Sequence, residues 1–392
     1  MAAGLLCYAT YMAANLYPTW STLMPTAVIL GLGAGTVWVG QASFVTRQAE
    51  RYAASDGVPI AEAVGRFNSF FYAAFMTTQV FGNLVGVGVL AAAGACVGSS
   101  GGQTDPGTVR ILFCVFLALV LAGGGGLLLL SDDAGGSGDT KAKAKATEAN
   151  ALLAAVDGGA PEPRRAEPDE ADGAFLLSDD GDVAGTVIVI PPPVGWLGLG
   201  DARLVALLPL IAFFGIEQSF SAGAFTAHVV KPALGECWVG GVMACYGAAD
   251  VLAALVMGRI VKGTRSCGLG FFMGAALNCA AMVALLLRPS YGDSAADLTA
   301  VLAIAAALGA GDGVWNAGLS SWIGFVFSAK HATGPFGVWK SFSAAGTAAF
   351  FFINASGVEL SSMLWIMMGV LAAAVASFPV AYRAARGSGA PL

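Results

Sequence analysis

Ten apolar runs separated by turns or polar loops dominate this 392-residue chain, and no other property limits its fold so sharply. Crossing about 30 Å of hydrocarbon takes about 20 apolar residues in a helix. The runs fall at residues 2–18, 20–45, 66–95, 111–130, 204–230, 237–258, 267–287, 298–328, 335–355 and 361–382. A bilayer offers no water to backbone polar groups, so each run must close its hydrogen bonds internally as a helix. The sequence therefore predicts an all-α polytopic membrane protein whose first partner is the lipid bilayer. Only 11% of residues are charged and 57% are hydrophobic, which excludes an ordinary soluble enzyme. With 19 Lys and Arg against 25 Asp and Glu, no basic surface is left to bind a nucleic-acid backbone.

Lys and Arg collect in cytoplasmic loops, and here they orient the runs. With a cytoplasmic N-terminus, sixteen basic residues fall on the inner side, including Arg47, Arg51, Arg259, Lys262, Arg383 and Arg386. Only Arg110, Lys231 and Arg288 fall outside. One missed or invented span would scramble this alternation, so the charges support the count as well.

Residues 132–200 break the apolar pattern with Asp, Glu, Gly, Pro and an alternating Lys-Ala run. Such a composition buries too little apolar surface to fold, and the expectation is a disordered acidic cytoplasmic linker. It separates an N-terminal half, 1–131, from a C-terminal half, 201–392. The halves echo each other. Gly31-Leu-Gly-Ala-Gly-Thr-Val-Trp38 resembles Leu308-Gly-Ala-Gly-Asp-Gly-Val-Trp315, and Gly65-Arg-Phe-Asn-Ser-Phe70 resembles Gly337-Val-Trp-Lys-Ser-Phe342, in the same order and orientation. Parallel halves joined by a long cytoplasmic linker resemble the plan of the major facilitator superfamily. On that plan the ten runs correspond to helices 3 to 12 of twelve, and the first two are missing from the N-terminus.

Several stretches carry a closer resemblance. Leu30-Gly-Leu-Gly-Ala-Gly-Thr-Val-Trp38, with Gly31, Gly33, Gln41 and Thr46, is followed by Phe81-Gly82-Asn83-Leu84. Further on come Leu207-Leu-Pro-Leu210 with Gly215-Ile-Glu-Gln-Ser-Phe220, then Gly309-Ala-Gly311-Asp312 with Val314-Trp315. Together these resemble the fourth, fifth, seventh and tenth helices of the uncoordinated-93-like family, the ion-channel regulatory branch of that superfamily. The resemblance implies a transporter-like fold serving as a regulator or trafficking partner of an ion channel or receptor subunit. It names no substrate. The outer loop after the third run departs from the family, offering only Cys96 where a cysteine pair is expected.

Ionisable groups inside hydrocarbon are costly and tend to face a cavity or a partner. Glu217, Asp250, Asp312 and Lys340 lie well inside runs, with Gln218 beside the first. Three acids against one base favour a cation or proton over an anion. Glu217 reads either as a coupling carboxylate or as a structural hydrogen bonder. Asp312 has two candidate partners, Lys340 on the neighbouring helix and Asn316 one turn on. Secondary transport of a small solute coupled to protons or cations therefore stays open beside the accessory role.

Lesser patterns complete the reading. Glu148-Ala-Asn-Ala-Leu152-Leu153 and Asp172-Gly-Ala-Phe-Leu176-Leu177 match an acidic dileucine sorting form, so the plasma membrane and an endosomal or vacuolar membrane are both candidate locations. Cys96 and Cys237 both fall near the outer surface, where they could bridge. Seven cysteines show no metal-ligand spacing, and the Gly-rich pieces sit inside apolar helices, where small residues serve packing. No catalytic set, metal or cofactor is expected.

Of the 25 acids, 13 lie between residues 132 and 182 beside five bases, so this stretch carries -8. The remainder, 14 bases against 12 acids, is +2. The acidity of the chain belongs to the linker, not to its membrane body.

Overall fold

The computed structural model describes residues 2–94, 106–131, 201–264, 266–327 and 331–387. The linker 132–200 with both acidic dileucine patterns, and Cys96, lie outside the described residues. Among the described residues there are helices and no strands. They are α1 (Ala2–Ala14), α2 (Trp20–Asp56), α3 (Ile60–Ala92), α4 (Pro106–Ser131), α5 (Ala202–Leu234), α6 (Glu236–Thr264), α7 (Gly268–Leu287), α8 (Ala295–Val326), α9 (Thr333–Ala355) and α10 (Leu360–Gly387). Nine of these are long and apolar enough to cross a membrane, and α1 is shorter. Helices follow the ten expected runs in order.

Helix ends are set by local chemistry rather than by the bilayer. α2 opens on a capping box in which Thr19 and Thr22 satisfy each other's backbone N–H groups. It runs on past residue 45 through Arg47, Glu50 and Arg51, and stops only at Gly57, whose φ of 67° is left-handed. α3 likewise starts earlier than expected, at Ile60. Charged residues leave the hydrocarbon without ending a helix, because water accepts their side chains and the backbone bonds continue.

α5 is not uniform. Its first turn, Ala202–Val205, breaks at 206–207 ahead of Pro209, whose missing N–H cannot join the ladder. Leu208–Ser219 is α-helical, and Phe220–Val230 is wound as a π-helix with i→i+5 bonds. At the start of α5, Arg203 binds Asp201 at 2.6 Å and lies 4.5 Å above the Phe327 ring. The Arg203 guanidinium holds the Asp201 carboxyl below its ordinary value.

The core lies between the helices that pack most extensively. α6 packs against α3 and α8, α5 against α9 and α10, and α2 against α3 and α9. Trp315, Trp322 and Trp339 are fully buried. Trp315 Nε1 donates to Asn278 Oδ1 of α7 at 2.8 Å. On α2, Trp38 Nε1 donates to the Tyr8 hydroxyl of α1 at 3.1 Å. Trp315→Phe removes one buried bond and leaves Asn278 Oδ1 without a donor. Thermal unfolding in detergent is expected to show a loss of about 1 kcal/mol.

Of the cysteines, Cys114, Cys245, Cys267 and Cys279 are free thiols, whereas Cys237 is disulfide-bonded. His228, near the C-terminal end of α5, binds Asn354 of α9 at 3.0 Å. Gly82 and Gly86 meet nothing, while Gly270 meets Met257 and Gly274 meets Trp315. The glycine pair of α7 thus serves packing within the chain.

Candidate functional site

Three helices converge on a buried acidic cluster, and each brings its acid with a polar neighbour one turn away. On α5, Glu217 Oε1 accepts from Ser221 Oγ at 2.8 Å. On α6, Asp250 follows Tyr246 at the same spacing. On α8, Asp312 Oδ1 accepts from Asn316 Nδ2 at 3.1 Å and from Gln218 Nε2 of α5 at 3.2 Å. Asp250 and Asp312 interact across the α6–α8 contact, and Tyr246 interacts with Glu217 and Asp312. Glu217 and Asp250 are 0% exposed and Asp312 3%, so the cluster is screened from water by the helices that form it.

Glycines make the convergence possible. A Cβ on Gly309 would collide with the Tyr246 carbonyl, and one on Gly313 with the backbone and carboxylate oxygens of Asp250. α8 therefore lies directly on α6 at the level of the cluster. Gly215, two residues before Glu217, is held as closely against the Ser343 carbonyl of α9, and its own carbonyl accepts from Thr347 Oγ1 at 2.9 Å.

Not every polar valence is used. Glu217 Oε2 and both carboxylate oxygens of Asp250 find no N–H or O–H donor among the described residues. Carboxylates so placed meet their hydrogen-bonding requirement by sharing protons or by holding a cation. No group of three or more His, Cys, Asp or Glu suited to a metal ion occurs among the described residues.

Lys340 takes the other course. It forms no ion pair with Asp312 among the described residues. Its Nζ lies 3.9 Å from the Trp339 ring centroid and 5.0 Å from that of Trp38 on α2. Of the two partners open to Asp312 in the sequence, Asn316 is the one in hydrogen-bond contact, and the lysine charge is met by aromatic faces instead.

The remaining motif residues divide by contact. Gly33 packs on Cys7 of α1, and Gly311 on Asn278, while Gly31 meets nothing. Gln41 is buried with neither amide atom bonded. Asn83 bonds back to the Gln79 carbonyl at 2.7 Å on an exposed face. Tyr246 and Ser221 were not among the expected site residues. Their i, i+4 spacing from Asp250 and Glu217 is the signal that places them on the same helix faces.

Residues 198–378 match the family described as Ion channel regulatory protein UNC-93. UNC93-like protein 3 of Arabidopsis thaliana is 30% identical over 366 residues, 93% of this chain and 69% of the relative. The chain belongs to the UNC-93 family. Protein unc-93 homolog A of Bos taurus is 26% identical over 420 residues, 99% of this chain and 80% of its own. A Caenorhabditis elegans relative, "Putative potassium channel regulatory protein unc-93", is 24% identical over 94% of this chain and 50% of its own length. Glu217, Asp250, Asp312 and Lys340 all lie within the stretch matched to the UNC-93 family.

Proposed function

We propose that this UNC-93 family protein is a non-enzymatic accessory subunit that regulates an ion channel. The observation that carries this reading is the family itself, together with the nematode relative named for potassium channel regulation. On this reading residues 1–131 and 201–392 are two parallel halves of a transporter-like body with both termini, and the linker 132–200, in the cytoplasm. Support for the duplication comes from the paired tryptophans. Trp38 of α2 donates to α1 and Trp315 of α8 donates to α7, each reaching back to the preceding helix.

A second reading is favoured by the acidic cluster. With Lys340 charged, the four groups reach neutrality when two of the three carboxyls carry protons, so the site is suited to storing protons. In the accessory role this makes channel regulation respond to protons; in a carrier it couples them to a solute.

Two measurements separate the readings. The full chain is co-expressed with potassium channels of the same cells, one at a time, and currents and co-purification are read. A channel that co-purifies and changes its current supports the accessory role, and no such channel overturns it. In liposomes, proton-linked flux abolished by Glu217→Gln with Asp312→Asn supports the carrier. Flux that survives this double replacement removes it.

A further inference from the structure

A furrow runs along the outside of α10 where it faces α7. Its wider part, about 290 Å³, lies at the end of α10 that carries Arg383. Ser266, Tyr382 and Arg383 line its rim, and Leu269, Phe272, Phe378 and Pro379 its floor. Inward of this floor the side chains close up, with Trp315 and Ala374 0% exposed and Leu210 2%.

The furrow is polar at one end only. Arg383 makes no ion pair among the described residues, its lining neighbours carry no charge, and Arg386 follows it one turn on. Ser266 Oγ already accepts from the Gly268 N–H at 3.2 Å, which leaves its hydroxyl hydrogen to donate. A guanidinium with a hydroxyl beside it matches a phosphate. Tyr382 stands where aromatic residues mark the interface. Under the orientation proposed above, this end faces the leaflet that holds anionic lipids.

We propose that this furrow binds one glycerophospholipid of net negative charge, its headgroup phosphate on Arg383 and the start of one acyl chain on the apolar floor of Leu269, Phe272, Phe378 and Pro379. The site is independent of whether the chain regulates a channel or moves a solute. A zwitterionic lipid offers the same phosphate but brings its own cation, so a guanidinium with no carboxylate paired to it among the described residues favours the anionic class.

The test uses the purified full chain in detergent, exposed to equal amounts of phosphatidylglycerol and phosphatidylcholine with the same acyl chains, and retained lipid is read by native mass spectrometry. Phosphatidylglycerol is expected to be enriched. Arg383→Gln should lower that enrichment about fivefold, the factor for one basic residue at the surface, while Arg383→Lys keeps it. Equal retention of both lipids by the unaltered chain, or an unchanged preference in Arg383→Gln, overturns the proposal. A measurement without any variant covers the acyl chain: soluble glycerol 3-phosphate should fail to displace the bound lipid. Displacement at matched concentration would show that the headgroup alone is held, and would also overturn it.

Discussion

Asp312→Ala is expected to cost about 2–5 kcal/mol of stability, whereas Asp312→Asn costs less than about 1 kcal/mol. The difference follows from who depends on this side chain. Gln218 Nε2 and Asn316 Nδ2 both donate to Asp312 Oδ1, and the alanine leaves both without that acceptor, Asn316 in a buried position and Gln218 in a half-buried one. Asparagine keeps an oxygen at that place. What it removes is the negative charge, and with it one of the three carboxyls able to hold a proton. Unfolding in detergent and a proton-linked functional readout should therefore part company: asparagine folds but loses the readout, and alanine loses both. If asparagine destabilises as much as alanine, the charge itself holds the helices together and the cluster is structural.

Gly309→Val is expected to destabilise by about 3 kcal/mol, while Gly31→Val stays within about 0.5 kcal/mol. Both glycines belong to the paired Gly-rich motifs of the two halves. At Gly309 the new Cβ would meet the Tyr246 carbonyl. A backbone oxygen in a packed helix cannot turn aside like the tip of a side chain, so α8 must lift off α6. Gly31 meets nothing within 4 Å, and a valine there fills open space. Equal behaviour of the two variants, read by unfolding in detergent, would show that α8 and α6 do not lie as close as described.

Most helices were legible because the bilayer reads sequence as length and apolarity, and both are written along the chain. Their ends were less legible. The continuation of α2 through Arg47, Glu50 and Arg51 carries the charge expected of a loop, and only the left-handed Gly57 marks the stop. Nothing in Phe220–Val230 announces a π-helix, since the same residues suit an α-helix. Within the site, Glu217, Asp250 and Asp312 stood out because charges are rare in hydrocarbon. Tyr246 and Ser221 did not, being ordinary members of apolar spans, and only the fold brings them onto one cluster. Lys340 shows the limit most clearly. An acid and a base on neighbouring helices suggest a pair, yet the lysine lies over Trp339 and Trp38, a contact that depends on how α9 meets α2.

The length of α2 has a mechanical meaning. Its 37 residues make a rod of about 55 Å, and the 33 residues of α3 one of about 50 Å, against roughly 30 Å of hydrocarbon. The two rods meet at Gly57 and Pro59, are braced by Arg66 on the Tyr52 hydroxyl at 3.2 Å, and are tied to α6 through Glu62 and Lys262 at 3.0 Å. Such a hairpin holds its tip at a fixed height above the lipid, set by the rise of a helix rather than by the slack of a loop. Anything that docks on that tip pushes on a lever whose other arm carries Trp38, the ring beside the half-buried Lys340.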